Sequence, residues 1–276
     1  MNGVVENGIL ACLHMGRKTS SAHSQQNEYA YMEEINEGVL RNIPCRQESG
    51  EEQFVLDVGC GYGVLAEAIE KKGYAVWGIE RHDVAAALAG QRMTKVIHED
   101  LTNLGAVREA IKERRFDYLV FSDVLEHLQD PELILGSYLP FLKDSGVLIM
   151  SVPNVAAWNI RLRLLFGIFD YSDSGILDRT HLRFFTFKTA RNMLRDVGLR
   201  VTRRDLTPYL MRSLLPIIKK IFLRSDKSRV DSRRAIIDST PYKYYLRWIY
   251  PPEYVVSRAF KSLLAFRIIL VGRKNG

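Results

Sequence analysis

Cysteine is scarce: Cys12, Cys45 and Cys60 are the three in a chain of 276 residues. So few, so scattered, they exclude a disulfide framework and a cysteine-built zinc site. A reducing, cytoplasmic setting is the expectation. Long apolar runs are missing as well. None approaches the roughly 18 residues that a membrane-spanning helix needs. The first twenty residues (MNGVVENGILACLHMGRKTS) hold no basic region ahead of a long apolar run, so no secretory signal is expected there. What is present, 47% hydrophobic and 26% charged residues, fits a globular protein with a sizeable core and excludes collagen and wholesale disorder.

The second half is short of acid. Residues 158–276 carry 25 Lys+Arg against 9 Asp+Glu, a balance of +16. Residues 1–157 carry 14 against 23, a balance of −9, and the two halves meet in the net +7. A basic half suggests an anionic partner: nucleic acid, a membrane surface or a phosphorylated molecule. The plain alternative is a solvated helical surface.

Along the chain, residues 1–28 are polar and read as a loose arm, and 29–276 read as one domain. The stretch 29–42 (YAYMEEINEGVLRN) has helical periodicity. Strand and helix signals then alternate. Strands are expected at 54–58, 74–80, 95–100, 116–122 and 145–154, and helices at 64–73, 83–92, 104–115 and 131–142. Asp83 is the expected N-cap of the second of these helices. Runs such as YLVF and VLIM do not alternate, as befits strands buried on both faces. This rhythm indicates a doubly wound α/β fold with a mostly parallel sheet. After Asn154 it changes. A helix at 187–198 and strands at 199–207 and 265–274 complete seven strands. Lid-like insertions fill about 155–185 and 208–262.

The sharpest local signal is Asp57-Val58-Gly59-Cys60-Gly61-Tyr62-Gly63. Glycines at a strand–helix turn let backbone approach a ligand, and the turn falls where open α/β sheets bind one. The spacing is G-x-G-x-G, not G-x-G-x-x-G, and an acid stands two residues before the first glycine. A carboxylate there repels a pyrophosphate and suits a cationic ligand.

On these residues the chain resembles the class I S-adenosylmethionine-dependent methyltransferases, with their Rossmann-like seven-stranded fold. The resemblance covers about 30–207 and the last strand. It implies that Asp57, Gly59, Gly61 and Gly63 hold the methionine end of S-adenosylmethionine. Glu80, beside Arg81, would bind the ribose hydroxyls, since a carboxylate accepts two such bonds. Asp100 and Leu101 would meet the adenine, and Ser122 and Asp123 would border cofactor and acceptor. SDVLEHLQDP, SVPN and DRTHLRFFT resemble a bacterial branch associated with cell-surface glycan and lipid modification. DVLEH also resembles the ubiquinone-biosynthesis O-methyltransferases.

An oxygen acceptor must lose its proton, and two histidines are candidates for the base. His181 is preferred, and His127 is expected to line the site. Asn154 is expected to orient an acceptor hydroxyl. Arg179 and Arg183 would either clamp a phosphate or carboxylate, or pair with neighbours. Asp123, Glu126 and His127, at i, i+3 and i+4, also allow Mg²⁺, and this segment is metal-linked in ubiquinone-type relatives. A loop-to-helix cap is the simpler account, and no metal is expected. The stretch 209–224 and its aromatic-basic sequel fit either an anionic membrane surface or a helix on the sheet edge. Nucleic acid is not expected as a partner: the D/N-P-P-Y/F signature of amino-group methylation is absent where SDVLEH stands. The expected function is therefore O-methylation of a glycan, lipid-linked sugar or related cell-surface intermediate. The alternatives are a quinone- or phenol-directed enzyme and a non-catalytic cofactor-binding subunit.

Overall fold

A computed structural model describes residues 35–46, 50–209 and 244–275. The arm 1–28, the opening of the helix expected at 29–42 and the amphipathic stretch 210–224 lie outside the described residues. Of that first helix, α1 (Glu37–Leu40) is described, capped by the Asn36 side chain.

Seven strands form one sheet in the order β3-β2-β1-β4-β5-β7-β6. They are β1 (Phe54–Val58), β2 (Ala75–Glu80), β3 (Lys95–His98), β4 (Phe116–Ser122), β5 (Leu142–Pro153), β6 (Leu199–Pro208) and β7 (Ala265–Lys274). The first five are parallel, and β7 lies antiparallel between β5 and β6. The helices between them are α2 (Val64–Glu70), α3 (Asp83–Ala89), α4 (Leu104–Ile111), α5 (Pro131–Tyr138), α6 (Trp158–Leu165), α7 (Phe187–Asp196), α8 (Tyr250–Ala259) and α9 (Lys261–Leu264). Among the described residues, no helix is long and apolar enough to cross a membrane.

Strand residues go alternately to two apolar layers. Leu56, Val58, Leu119 and Phe121 enter the layer that holds α4, α5 and α7. Val55, Val76, Val120 and Ile149 enter the other, with α2 and α1. This two-sided demand is why the strands read as unbroken apolar runs. The expected boundaries shift in two informative places. His82, in extended conformation, takes the N-cap position of α3, and Asp83 becomes the first helical residue, acidic in the first turn. β5 starts at Leu142 rather than 145, because Leu142 pairs with Phe116 across an irregularity in the ladder.

The outer strands fix the ends of the chain to the sheet. Asp205 in β6 is buried and accepts from Arg41 Nε at 3.2 Å, Asn42 Nδ2 at 3.0 Å and the Tyr254 hydroxyl at 2.6 Å. One carboxylate thus joins α1, β6 and α8. Burial opposes its charge, but Arg41 and the Tyr254 hydroxyl outweigh burial and hold the carboxyl below its ordinary 3.8. Asp205→Asn leaves Arg41 without its counter-charge and is expected to cost roughly 2–3 kcal/mol of unfolding free energy in urea titrations. A depressed folded-state pKa stabilises above the unfolded value and ceases to do so as pH falls. The gap between wild type and variant therefore narrows below the ordinary 3.8.

Candidate functional site

The carboxyl ends of β1, β2 and β4 carry the residues singled out by the sequence. β1 ends in a turn whose glycines have φ values of +75° (Gly59), +52° (Gly61) and +75° (Gly63). At Gly59 the requirement is double, because a Cβ there would lie 2.7 Å from Val124 Cγ2. The turn is tied to β2. Gly59 and Cys60 donate to Ile79 O at 2.9 and 3.0 Å, and Gly61 N–H donates to Glu80 Oε2 at 3.0 Å. The other oxygen of Glu80 accepts from His82 N–H at 2.8 Å.

Asp57 and Glu80 are both buried at neighbouring strand ends. Asp57 Oδ1 has no hydrogen-bond partner among the described residues. Burial first, and the nearby Glu80 second, push the Asp57 carboxyl up to about 7. Such a group gains most from a cationic hydrogen-bond donor.

Asp100 sits after β3. Its Oδ1 accepts from the Thr102 hydroxyl and N–H at 2.6 and 2.8 Å, and its Oδ2 lies 3.5 Å from Arg81. The Thr102 hydroxyl, followed by its N–H, holds the carboxyl below the ordinary range. Arg81 is thus the neighbour of Asp100 at the rim. Leu101 packs at the edge of the core, and its carbonyl accepts from Tyr138.

The end of β4 makes a second turn. Asp123 has φ +56°, the left-handed region that Asp tolerates better than most residues. Its Oδ2 pairs with Arg267 Nε at 2.7 Å, and its Oδ1 accepts from the Ser151 hydroxyl at 2.9 Å. Asn36 Nδ2 donates to Ser151 Oγ at 2.8 Å and Ser122 Oγ at 3.1 Å. Asn36, Ser151 and Arg267 were not singled out by the sequence. Asn36 lay within a helical pattern where a lone amide reads as solvated. Arg267 had a signal: it is a single charge in the apolar strand AFRIILV.

A 3₁₀ turn, Leu125–His127, follows. Glu126 is buried, and its Oε2 is unpartnered among the described residues. Burial, then Asp123, raise its carboxyl well above the ordinary value. The insertion brings His181 to this point. Leu182 and Arg183 N–H both donate to Glu126 O, at 2.8 and 3.0 Å. The His127 and His181 rings meet edge to face with centroids 4.8 Å apart. His127 Nδ1 lies 3.2 Å from Thr180 O, and His181 Nδ1 lies 3.1 Å from Ile176 O. Carbonyls only accept, so both Nδ1 atoms carry a proton, which leaves Nε2 as the accepting atom of each ring in its neutral form. Burial, then His181, hold His127 below 6.5. Ligand atoms of Glu126, His127 and His181 lie within 4.8 Å of one another. This differs from the sequence-based set, in which Asp123 replaced His181: Asp123 is committed to Arg267 and Ser151.

The expected acceptor residues are placed differently. Asn154 is fully buried, and its amide donates to Ser262 O and Ala265 O at 3.1 and 3.0 Å while Oδ1 accepts from Ala156 N–H. Its polar atoms serve the backbone and anchor both insertions. Arg183 donates to Gln129 O from Nε and Nη2. Arg179 pairs with Asp173 at 3.2 Å, the neighbour-pairing alternative.

Residues 25–204 match the model of a methyltransferase domain family. Among curated proteins, the chain is 31% identical over 133 residues to a ubiquinone biosynthesis O-methyltransferase of Histophilus somni, covering 46% of this chain and 56% of that protein. A namesake from Pasteurella multocida is 30% identical over 146 residues, with shares of 48% and 60%. The chain thus spans little more than half the length of these relatives. Among solved structures, a SAM-dependent methyltransferase from Archaeoglobus fulgidus matches with TM-score 0.50 and 17% identity, over 81% of this chain and 86% of that one. One from Thermotoga maritima, described as a possible histamine N-methyltransferase, matches with TM-score 0.52 and 15% identity, over 87% and 90%. At such identities these two speak for the fold.

The cofactor is S-adenosylmethionine, and the site's chemistry fits it. The unpartnered Asp57 Oδ1 suits its ammonium group, and the positive-φ glycine turn follows directly on that strand. Glu80, as a carboxylate at the end of β2, is of the residue type that accepts from ribose hydroxyls. Because the ammonium selects ionised Asp57, whose carboxyl titrates at about 7, affinity is expected to rise with pH up to that value. It should fall roughly tenfold per unit below it. Calorimetry from pH 5.5 to 8.5 checks this, with Asp57→Asn expected to bind weakly and without that slope.

Proposed function

This chain belongs to the methyltransferase domain family, and from that footing we propose an O-methyltransferase whose acceptor is a phenol- or catechol-like hydroxyl. The observation that carries the reading is the cluster of Glu126, His127 and His181, set one turn beyond β4. Val124, between Asp123 and this turn, touches the glycine turn of the cofactor site, which joins the two centres.

The sulfonium methyl is already activated, so the chain must align the acceptor and remove its proton. Nε2 is the accepting atom of each neutral imidazole, and partial desolvation, with His181 beside it, favours that neutral form in His127. In the transfer, the acceptor proton moves to an imidazole Nε2. The oxygen bonds to the methyl carbon, and the S–CH₃ electron pair stays on sulfur as a neutral thioether. A phenol titrates near 10, within reach of a histidine base, whereas a sugar alcohol is far weaker as an acid. That difference favours the phenolic alternative over the glycan or lipid-linked sugar first expected. The name of the curated relatives, ubiquinone biosynthesis O-methyltransferase, points the same way.

The family resemblance also brings a divalent cation into question, and the donors fit one. Glu126 Oε2 and the two Nε2 atoms would hold it, a nitrogen-rich set that suits Zn²⁺, Mn²⁺ or Fe²⁺ better than Mg²⁺. When bound it supplies Lewis-acid polarisation of an acceptor hydroxyl. Glu126 without such a partner holds its proton, given its raised pKa.

The test is methyl transfer from labelled S-adenosylmethionine to an alkyl catechol and to a polyprenyl-linked sugar. Turnover is expected with the catechol. His181→Ala should lower kcat by about 10²–10⁴ with cofactor binding unchanged. Turnover with the sugar alone would restore the glycan reading. Binding of cofactor without any turnover would favour a non-catalytic subunit. Metal content by mass spectrometry of purified wild type and Glu126→Gln decides the cation. Wild type without a stoichiometric ion is expected, because a cation held by both Nε2 atoms would leave neither to take the acceptor proton. An ion bound one to one and lost in the variant would make the histidines ligands instead of bases.

A further inference from the structure

Both insertions emerge at the carboxyl end of the sheet, at the end of β5 and the start of β7, where the site lies. They are fastened to each other. Asn154 donates to Ser262 O and Ala265 O, and Tyr209 N–H donates to Leu264 O at 2.9 Å. Asn159 donates to the Tyr209 hydroxyl at 2.9 Å, and the Tyr209 ring stacks on Phe266 with centroids 5.1 Å apart. Ala157, Ile160, Ile176 and Leu177 close over Phe266 as a small apolar cluster of their own.

Around this cluster the outer surface is apolar to an unusual degree. At the end of α6, Leu165 and Phe166 are 78% and 71% exposed, and Ile168 and Phe169 follow them across Gly167. Gly167 has φ +70°, and a Cβ there would meet nothing within 4 Å, so this is a convex tip. On the second insertion, Trp248, Val255 and Phe260 are each at least 60% exposed. Of these, Val255 is in α8, two residues from both Glu253 and Ser257, which that helix turns inward. Arg247, Arg258 and Lys261 are exposed beside them. The one acid of residues 244–264, Glu253, is buried and accepts from the Tyr245 hydroxyl at 2.9 Å. The exposed charge of this segment is therefore entirely positive.

We infer that this face, the α6 tip together with the outer side of 244–264, docks the protein on an anionic lipid bilayer. Exposed aromatic and aliphatic side chains interleaved with cations are what the interface between headgroups and acyl chains accepts. Each cation near an anionic leaflet adds attraction that salt weakens, which burial of apolar side chains does not. A second copy of this chain is a poorer occupant. A two-fold contact through 244–264 would set the cations of one copy against those of the other. Docking in this way turns the carboxyl end of the sheet toward the lipid, so that an acceptor could enter without crossing water. It does not depend on which hydroxyl is methylated.

The experiment is co-sedimentation of the full chain with vesicles of phosphatidylcholine alone and with 30 mole per cent phosphatidylglycerol, a composition in the range where the cationic attraction of about one tenfold step or less per residue is read. Stronger binding to the anionic vesicles, weakened by salt, is expected. Arg247→Glu/Arg258→Glu/Lys261→Glu should reduce that partition by roughly 100-fold. Phe166→Ser/Phe260→Ser should weaken binding to anionic vesicles with the salt dependence retained. Calorimetric binding of S-adenosylmethionine, expected unchanged in both variants, reports that they fold and keeps this outcome separate from any failure of the acceptor assignment. Equal binding to both vesicle types, no binding, or undiminished binding by the folded charge-reversed variant would overturn the inference. So would a concentration-dependent dimer in sedimentation velocity that the Phe260 change abolishes.

Discussion

Asp57 and Glu80 end neighbouring parallel strands, and both are buried. Two like charges so placed repel each other, and burial raises the cost further. Glu80 is accommodated by the N–H groups of Gly61 and His82. Those bonds shape the glycine turn, whose positive φ values no bulkier sequence would accept at low cost. Asp57 lacks that relief at Oδ1, and its carboxyl rises to about 7. The site therefore has the sign for a cation, and a cationic ligand supplies the charge that the fold omits.

A second turn depends on the first. Gly59 admits Val124, and Val124 belongs to the turn that Asp123 starts in the left-handed region. Arg267 reaches Asp123 from β7, which lies antiparallel between β5 and β6. The same turn ends at Glu126, whose carbonyl takes two N–H groups from the His181 insertion. Cofactor loop, histidine cluster and lid are thus linked by short contacts through residues 123–127. This explains how a distant strand can bear on the site without touching a ligand.

Much of the fold was legible because its signals are local. Apolar runs bounded by glycines and acids marked β1 to β5, and the glycine turn marked the cofactor end. Asp57 and Glu80 could be named because the resemblance to methyltransferases gives acids at the ends of the first two strands those roles. What stayed hidden depends on contacts between distant segments. Asn154 looked available for an acceptor, but β7 and α9 return to take both of its amide hydrogens. Asp123 looked like a partner for Glu126 and His127, but Arg267, 144 positions later, claims it. His181 was named as a base from its insertion alone. Its proximity to His127 could not be, because 53 residues separate His127 from Thr180, the carbonyl that orients it.

The two halves differ in where their charge acts as well as in its sign. Asp57 and Glu80, at the cofactor end of the first half, are buried, where water and salt screen them little. The cations of 244–264 are exposed, and in physiological salt their field decays over about 8 Å. Each set therefore acts on its own neighbour: the buried carboxylates on a cationic cofactor, the exposed cations on whatever lies against the surface. A single chain can thus attract a positive ligand and present a positive face at the same end of its sheet. Had Glu253 been exposed instead of bonded to Tyr245, the positive face would be partly neutralised. Its burial under α8 both satisfies the carboxyl and leaves the outer side uniformly cationic.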